Sequence, residues 1–368
     1  MTIHIKKKLN SIFFRDSQNL RKLLPSIGKN WTLIFLISML VLFSIARKSF
    51  FDARTFTNIL VSSVCALLLA TGETPVVITG GIDLSIGFVR GLAAVLSALI
   101  MRDLYAAGYP PVVSILSGCS IGILVGLLPG LVNGILVAKL RVPPFIATLG
   151  MYGIANGVAL KLCGGFPVTF LPPEVSKIGN GFIAYLLPGK SFTFFHKPSI
   201  TEPLELRNLI GIIPYSVVIA LVLTGIFGFI LAKTKFGQHT YAIGGSADAA
   251  TRAGINVPSH LIKTYMVSSF FASCSGVLSV LIFNIGSHTQ FSSSYELFAI
   301  AAVVIGGASL MGGTGSVLGT IIGVLILSTL EIGFLMCGIM PFYRFIAVGC
   351  ILILAVLIDQ FFPELVHK

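Results

Sequence analysis

Long apolar runs recur along the 368 residues, separated by short polar breaks. A helix crosses a bilayer with roughly 20 consecutive apolar residues, so each run is read as one span. Ten are predicted: 31–46, 58–78, 84–101, 112–138, 144–162, 210–232, 261–283, 297–311, 317–336 and 342–362. The period-2 alternation of a membrane barrel is absent. The expected fold class is an all-α polytopic membrane protein of about ten transmembrane helices.

Two interruptions are longer than the rest. Residues 164–208 carry prolines and mixed charges, too polar to span, with Phe-rich pieces that suit a membrane surface. Residues 233–257 read KTKFGQHTYAIGGSADAATRAGINV. Within them 246–254 reads as a short helix between glycines. Asp248 stands near its start and Arg252 near its end, as the helix dipole favours. The domain plan is then a tail 1–30, a membrane domain 31–363 and a tail 364–368. Segment 164–208 lies outside and loop 233–260 inside.

Composition agrees: 55% of residues are hydrophobic and 10% charged, where a soluble domain carries about a quarter charged residues. The net charge of +12 would suggest nucleic acid in a soluble protein. Here the cations cluster at span ends, so the partner is membrane lipid and no nucleic acid is expected. The basic 1–30 segment, Lys139, Arg141, Lys233, Lys235, Arg252 and Lys263 fall on one side. The positive-inside rule makes that side cytoplasmic, with both termini. Arg47, Lys48 and Arg54 fall outside, a local violation. Trp31 is placed as an interfacial anchor. The first apolar run lacks a small-residue cleavage pattern and is expected to be a retained span. The six cysteines form no CxxC pair and read as small packing residues.

Several residues invite chemistry. Gly118, Gly122, Gly126, Gly130 and Gly134 recur every fourth position. They present either a tight packing face or a pore-facing groove. Glu73 lies inside an apolar run, and Pro75 frees a carbonyl one turn earlier, which suits a cavity. An intramembrane carboxylate lines a path, pairs with a partner such as Arg90, or sits protonated. Asp83 precedes a helix at the TGGIDLS turn, with Ser85 beside it, and either caps that helix or joins the path. Asn133, Tyr152 and Asn156 either contact solute hydroxyls or cross-link helices. The glycines of 306–316 contain no GxxxxGK[ST], so there is no Walker A loop. His239, His260 and His288 are scattered and share no metal site. No catalytic constellation exists, so no enzyme activity and no metal or cofactor in this chain are expected. VVITGGIDLS (76–85) weakly echoes VVIGGASL (303–310), but both fall on one side, which a strict inverted repeat forbids.

Five segments together resemble the ribose/galactose-type permease subunits of bacterial ATP-binding-cassette importers. They are FDARTFTNIL (51–60), VVITGGIDLSIG (76–87), GLVNGILVAKLRVPPFIATLGM (130–151), TKFGQHTYAIGGSADAATRAGINV (234–257) and FAIAAVVIGGASLMGGTGSVLGT (298–320). The resemblance implies a multi-pass subunit of the bacterial inner membrane, paired with a second permease copy or homologue. It implies a cytoplasmic ATPase that binds ATP and Mg, and an external solute-binding protein. Its coupling motif maps onto Gly244, Gly245, Asp248, Ala249, Ala250 and Gly254. The candidate translocation path, read from polar groups in and beside the spans, is Glu73, Asp83, Ser85, Asn133, Tyr152 and Asn156. The implied solute is a monosaccharide or similar polyhydroxylated molecule, with a nucleoside, autoinducer or vitamin as alternatives. An ion-coupled carrier using Glu73 or Asp83 is the rival mechanism. Glu73, Pro75 and Arg90 depart from the family pattern, and 164–208 is longer than expected.

Overall fold

The computed structural model describes residues 31–188, 191–195, 197–198, 208–288, 294–340 and 342–361. Helices α1 (Trp31–Ala46), α2 (Ala53–Ile78), α3 (Ile86–Ala106), α4 (Pro111–Ala138) and α5 (Pro144–Cys163) come first. A short helix α6 (Glu174–Gly179) and strands β1 (Phe182–Leu187), β2 (Ser191–Phe194) and β3 (Ile210–Pro214) follow. Then come α7 (Tyr215–Lys233), α8 (Lys235–Gly245), α9 (Ala247–Arg252), α10 (Val257–Phe283), α11 (Tyr295–Ile305), α12 (Val317–Met336) and α13 (Phe342–Phe361). Helices α2, α4, α5, α7, α10 and α12 are long and apolar enough to cross a membrane. Each of the ten predicted runs contains a helix.

Helix α10 is the hub, packed against α2, α3 and α4. The glycines of α4 explain the close approach. A side chain at Gly118 or Gly122 would collide with the Ser97 or Ala93 carbonyls of α3. One at Gly126 would overlap Ser273 Oγ, and one at Gly130 the Tyr265 carbonyl. Gly134 backs onto Ile262. The stripe is therefore a packing seam and not a pore-facing groove: all five glycines are buried. The opposite face of α4 exposes Leu116, Leu124 and Leu128, a contiguous apolar surface of the kind a membrane covers. In α12 the same device recurs, with Gly319 and Gly323 seated on the Gly306 and Ala302 carbonyls.

Several serines and threonines inside the bundle bond back along their own helix, while the Ser97, Ser216 and Ser269 hydroxyls have no partner among the described residues. Ser273 donates to the Ser269 carbonyl at 2.7 Å, and Thr264 to that of His260 at 3.0 Å. A hydroxyl so satisfied is tolerated in hydrocarbon.

Three expectations need correction. The chain is not all-α: residues 182–214 hold an antiparallel sheet of order β2-β1-β3. Local pairing satisfies the backbone groups of a segment too polar to span. In consequence 210–214 is a strand, and the helix expected from 210 starts at Tyr215. The run expected to be helical over 297–311 is helical only from Tyr295 to Ile305. Described residues on either side of 289–293 lie beside α3. Gly286 lies against Ala98, the His288 carbonyl against Gly91, and the Glu296 carboxylate against Gly87. Backbone that is not helical at this depth persists where protein buries it. The tails 1–30 and 362–368, and Gln290, lie outside the described residues.

Replacing Gly130 with Leu should lower the thermal unfolding midpoint in detergent, reflecting a loss of about 1–3 kcal/mol from overpacking. Gly157→Leu should leave it unchanged, because nothing stands near that position. Scanning fluorescence of both purified variants checks the contrast, and equal midpoints would contradict the seam.

Candidate functional site

At the end of α2 the chain turns back on itself. The N–H of Gly81 bonds the Val76 carbonyl at 2.9 Å, and the left-handed Gly80 (φ 78°) permits the reversal. The reversal lifts Asp83 beside Glu73, and Asp83 N–H donates to Glu73 Oε1 at 2.9 Å. Asp83 Oδ1 accepts from Ser85 N–H at 3.0 Å and from Ser85 Oγ at 2.5 Å, and Oδ2 accepts from Ser268 Oγ at 2.9 Å. Asn133 Nδ2 donates to Ser85 Oγ at 3.0 Å. Five side chains from α2, the turn, α4 and α10 thus form one fully buried network.

Four of the six expected path residues, Glu73, Asp83, Ser85 and Asn133, meet here. Asp83 ties down the turn before α3 and also bonds α10. The pairing of Glu73 with Arg90 is not found. Neither of the two described cavities is lined by Glu73, and the segment around Pro75 is fully buried. Tyr152 and Asn156 stand apart on α5, both half-buried. The Tyr152 ring meets Phe88 edge-on, with centroids 4.4 Å apart. Among the described residues Asn156 Oδ1, Asn133 Oδ1 and Glu73 Oε2 have no hydrogen-bond partner.

Below the network lies an exposed knob. Ser246 caps α9, its Oγ accepting from Ala249 N–H at 3.2 Å. Asp248 is in the first turn and Arg252 in the last, as the sequence predicts. Gly245, Asp248, Ala249 and Gly254 are exposed, and Ala250 is buried beneath them. Helix α8, not foreseen, ties the knob to the bundle. Gly244 packs on the Ile78 carbonyl, which also accepts from Gly313 N–H at 2.8 Å. Tyr241 Oη donates to the Gly315 carbonyl at 2.9 Å. Burial pushes the Tyr241 phenol above its ordinary pKa, which keeps that donor protonated. His260 Nε2 meets Thr240 Oγ1 at 2.9 Å. The knob thus rests on the end of α2, five residues from Glu73. The two echoed segments meet at this same end of the bundle, in agreement with their predicted side.

A cavity of about 400 Å³ opens at the opposite end, the end that carries the sheet. Tyr295, Phe298, Ser62, Ser328, Glu331 and Arg344 are among its lining residues. Arg344 pairs with Glu331 and stacks over Phe298 at 4.3 Å. Sequence reasoning missed this site, because its residues come from five separate helices. The acid at 331 and base at 344 inside apolar runs were the available signal.

The family model described as "Branched-chain amino acid transport system / permease component" matches residues 55–358. The chain is 35% identical to the galactose/methyl galactoside import permease protein of Haemophilus influenzae, with 90% of this chain and 94% of the relative covered. It is 33% identical to the fructose import permease protein of Rhizobium meliloti (93% and 88%). It is 33% identical to the ribose import permease protein of Bacillus subtilis (93% and 93%). No solved structure matches.

Replacing Glu73 with Gln should preserve the thermal midpoint, since an amide oxygen still accepts the Asp83 N–H. Glu73→Leu leaves that donor unsatisfied and should cost about 1–3 kcal/mol. Denaturation of both variants in detergent checks the difference, and equal stability would contradict the network's structural role.

Proposed function

Because the chain belongs to this family of transport-system permease components, we propose that it is the membrane subunit of an ATP-binding-cassette importer. Its solute is a monosaccharide or similar polyhydroxylated molecule. The relatives named for galactose, fructose and ribose import support a sugar more directly than the amino-acid label of the family.

One observation carries the mechanism. The exposed α9 knob is fixed through Gly244 and Tyr241 to the end of α2 and to loop 306–316. A cytoplasmic ATPase that grips the knob moves those elements directly, so ATP-driven closure rocks the bundle. ATP and Mg bind that partner. Gly244, Gly245, Asp248, Ala249, Ala250 and Gly254 form the docking surface. This reading places ten crossings, both termini and loop 233–260 on the cytoplasmic side, and 164–208 outside. An external binding protein delivers solute to the 400 Å³ cavity, and the network of Glu73, Asp83, Ser85 and Asn133 closes the path at the inner end. The apolar faces of α4, α5 and α7 meet lipid and a second permease copy or homologue in the bacterial cytoplasmic membrane. An ion-coupled carrier has less support, because both Asp83 oxygens are held by Ser85 and Ser268 and neither described cavity is lined by Glu73.

Replacing Gly245 with Trp should cut ATP-driven uptake at least tenfold while the bundle stays folded, since nothing lies within 4 Å of that position. Uptake of labelled sugar by membrane vesicles, with the unfolding midpoint as control, checks this. Wild-type uptake in the variant would contradict docking at the knob.

A further inference from the structure

Arg90 stands on α3, 3% exposed, four residues beyond Ile86 at the start of the helix. Its backbone carbonyl faces Gly276 of α10. Its guanidinium carbon lies 4.2 Å from the centroid of the Tyr295 ring. That ring covers one face of the cation and leaves the edge donors. Among the described residues neither Nε nor Nη2 has a hydrogen-bond partner, and no carboxylate forms an ion pair with Arg90. Glu296, the residue after Tyr295, lays its carboxylate on Gly87 instead. Glu331 is committed to Arg344.

An arginine inside a membrane bundle ordinarily pairs all it can, because an unpaired charge there is expensive. Arg90 keeps two donors free, directly behind a ring that lines the 400 Å³ cavity. The other cavity charges, Glu331 and Arg344, cancel. Among the described residues the cavity therefore has one uncompensated positive charge behind its wall. It also presents the Tyr295 and Phe298 rings, on which a sugar ring can stack, and the hydroxyls of Ser62 and Ser328.

Building on the importer reading, we propose that Arg90 is a specificity-determining residue and that the imported solute is a sugar acid. The guanidinium fork takes the carboxylate in two charge-assisted hydrogen bonds. Rotation of the Tyr295 side chain uncovers the fork to the cavity. A neutral sugar fills the same space and leaves both donors unpaired, so it binds more weakly.

The test uses the full-length chain purified in detergent. Its unfolding midpoint is titrated with D-galacturonate, D-gluconate and D-galactose, with sodium chloride matching the ionic strength. The acids should raise the midpoint with half-saturation at least tenfold lower than galactose. Arg90→Gln should erase that difference while the ligand-free midpoint stays equal or rises, because an unpaired buried charge is removed. A structural arginine would instead lower the ligand-free midpoint. Equal shifts by acids and galactose, or a preference that survives in Arg90→Gln, would overturn the inference and leave the sugar-importer reading standing. No shift by any sugar would overturn the inference and also remove the cavity from the proposed path.

Discussion

The structure depends on the contact between the glycine face of α4 and the serine-rich face of α10. Apolar surface gives helices no reason to associate in lipid, since the lipid tails are equally apolar. Close backbone approach and satisfied polar groups must hold them. Gly126 and Gly130 permit that approach at Ser273 and Tyr265. The same two helices then supply Asn133 and Ser268 to the network around Asp83. Separating α4 from α10 would strand buried polar groups from four elements at once.

That network has a mechanical consequence. The turn after α2 is fixed above by Glu73 and Asp83, and its base at Ile78 is fixed to Gly313 and Gly244. A displacement of the knob therefore reaches the knob-side ends of α2, α3 and α11 through bonded contacts rather than through flexible loops. At the other end, the shortened α11 gives the bundle a different character. Eleven helical residues cannot cross a bilayer at 1.5 Å each. On that side the non-helical residues Gly286 and His288 lie against α3. Both ends thus combine a rigid frame with an irregular segment.

Much of this was legible in the chain. Continuous apolar runs located every long helix, because burial and lipid exposure both demand apolar residues there. The flanking glycines and the charges at Asp248 and Arg252 gave the α9 helix from local rules alone. The DLS turn and Glu73 marked the polar network, although not its composition. Ser268 was missed because a serine in a serine-rich helix carries no individual signal. The sheet was missed because Ile210–Pro214 is as apolar as a span, and only pairing with β1 makes it a strand. The end of α11 at Ile305, short of Met311, was missed because apolar content does not set where a helix stops. The cavity was invisible because tertiary packing alone brings Ser62, Tyr295, Ser328, Glu331 and Arg344 together.

If the α9 knob docks a separate ATPase, as proposed, that subunit should accompany the chain. Purification from native membranes with a tag on the full chain, followed by identification and quantification of what accompanies it, tests it most directly. An ATP-hydrolysing subunit in stoichiometric amount is the expected result. A partnerless chain that sustains solute flux on an ion gradient alone would contradict it.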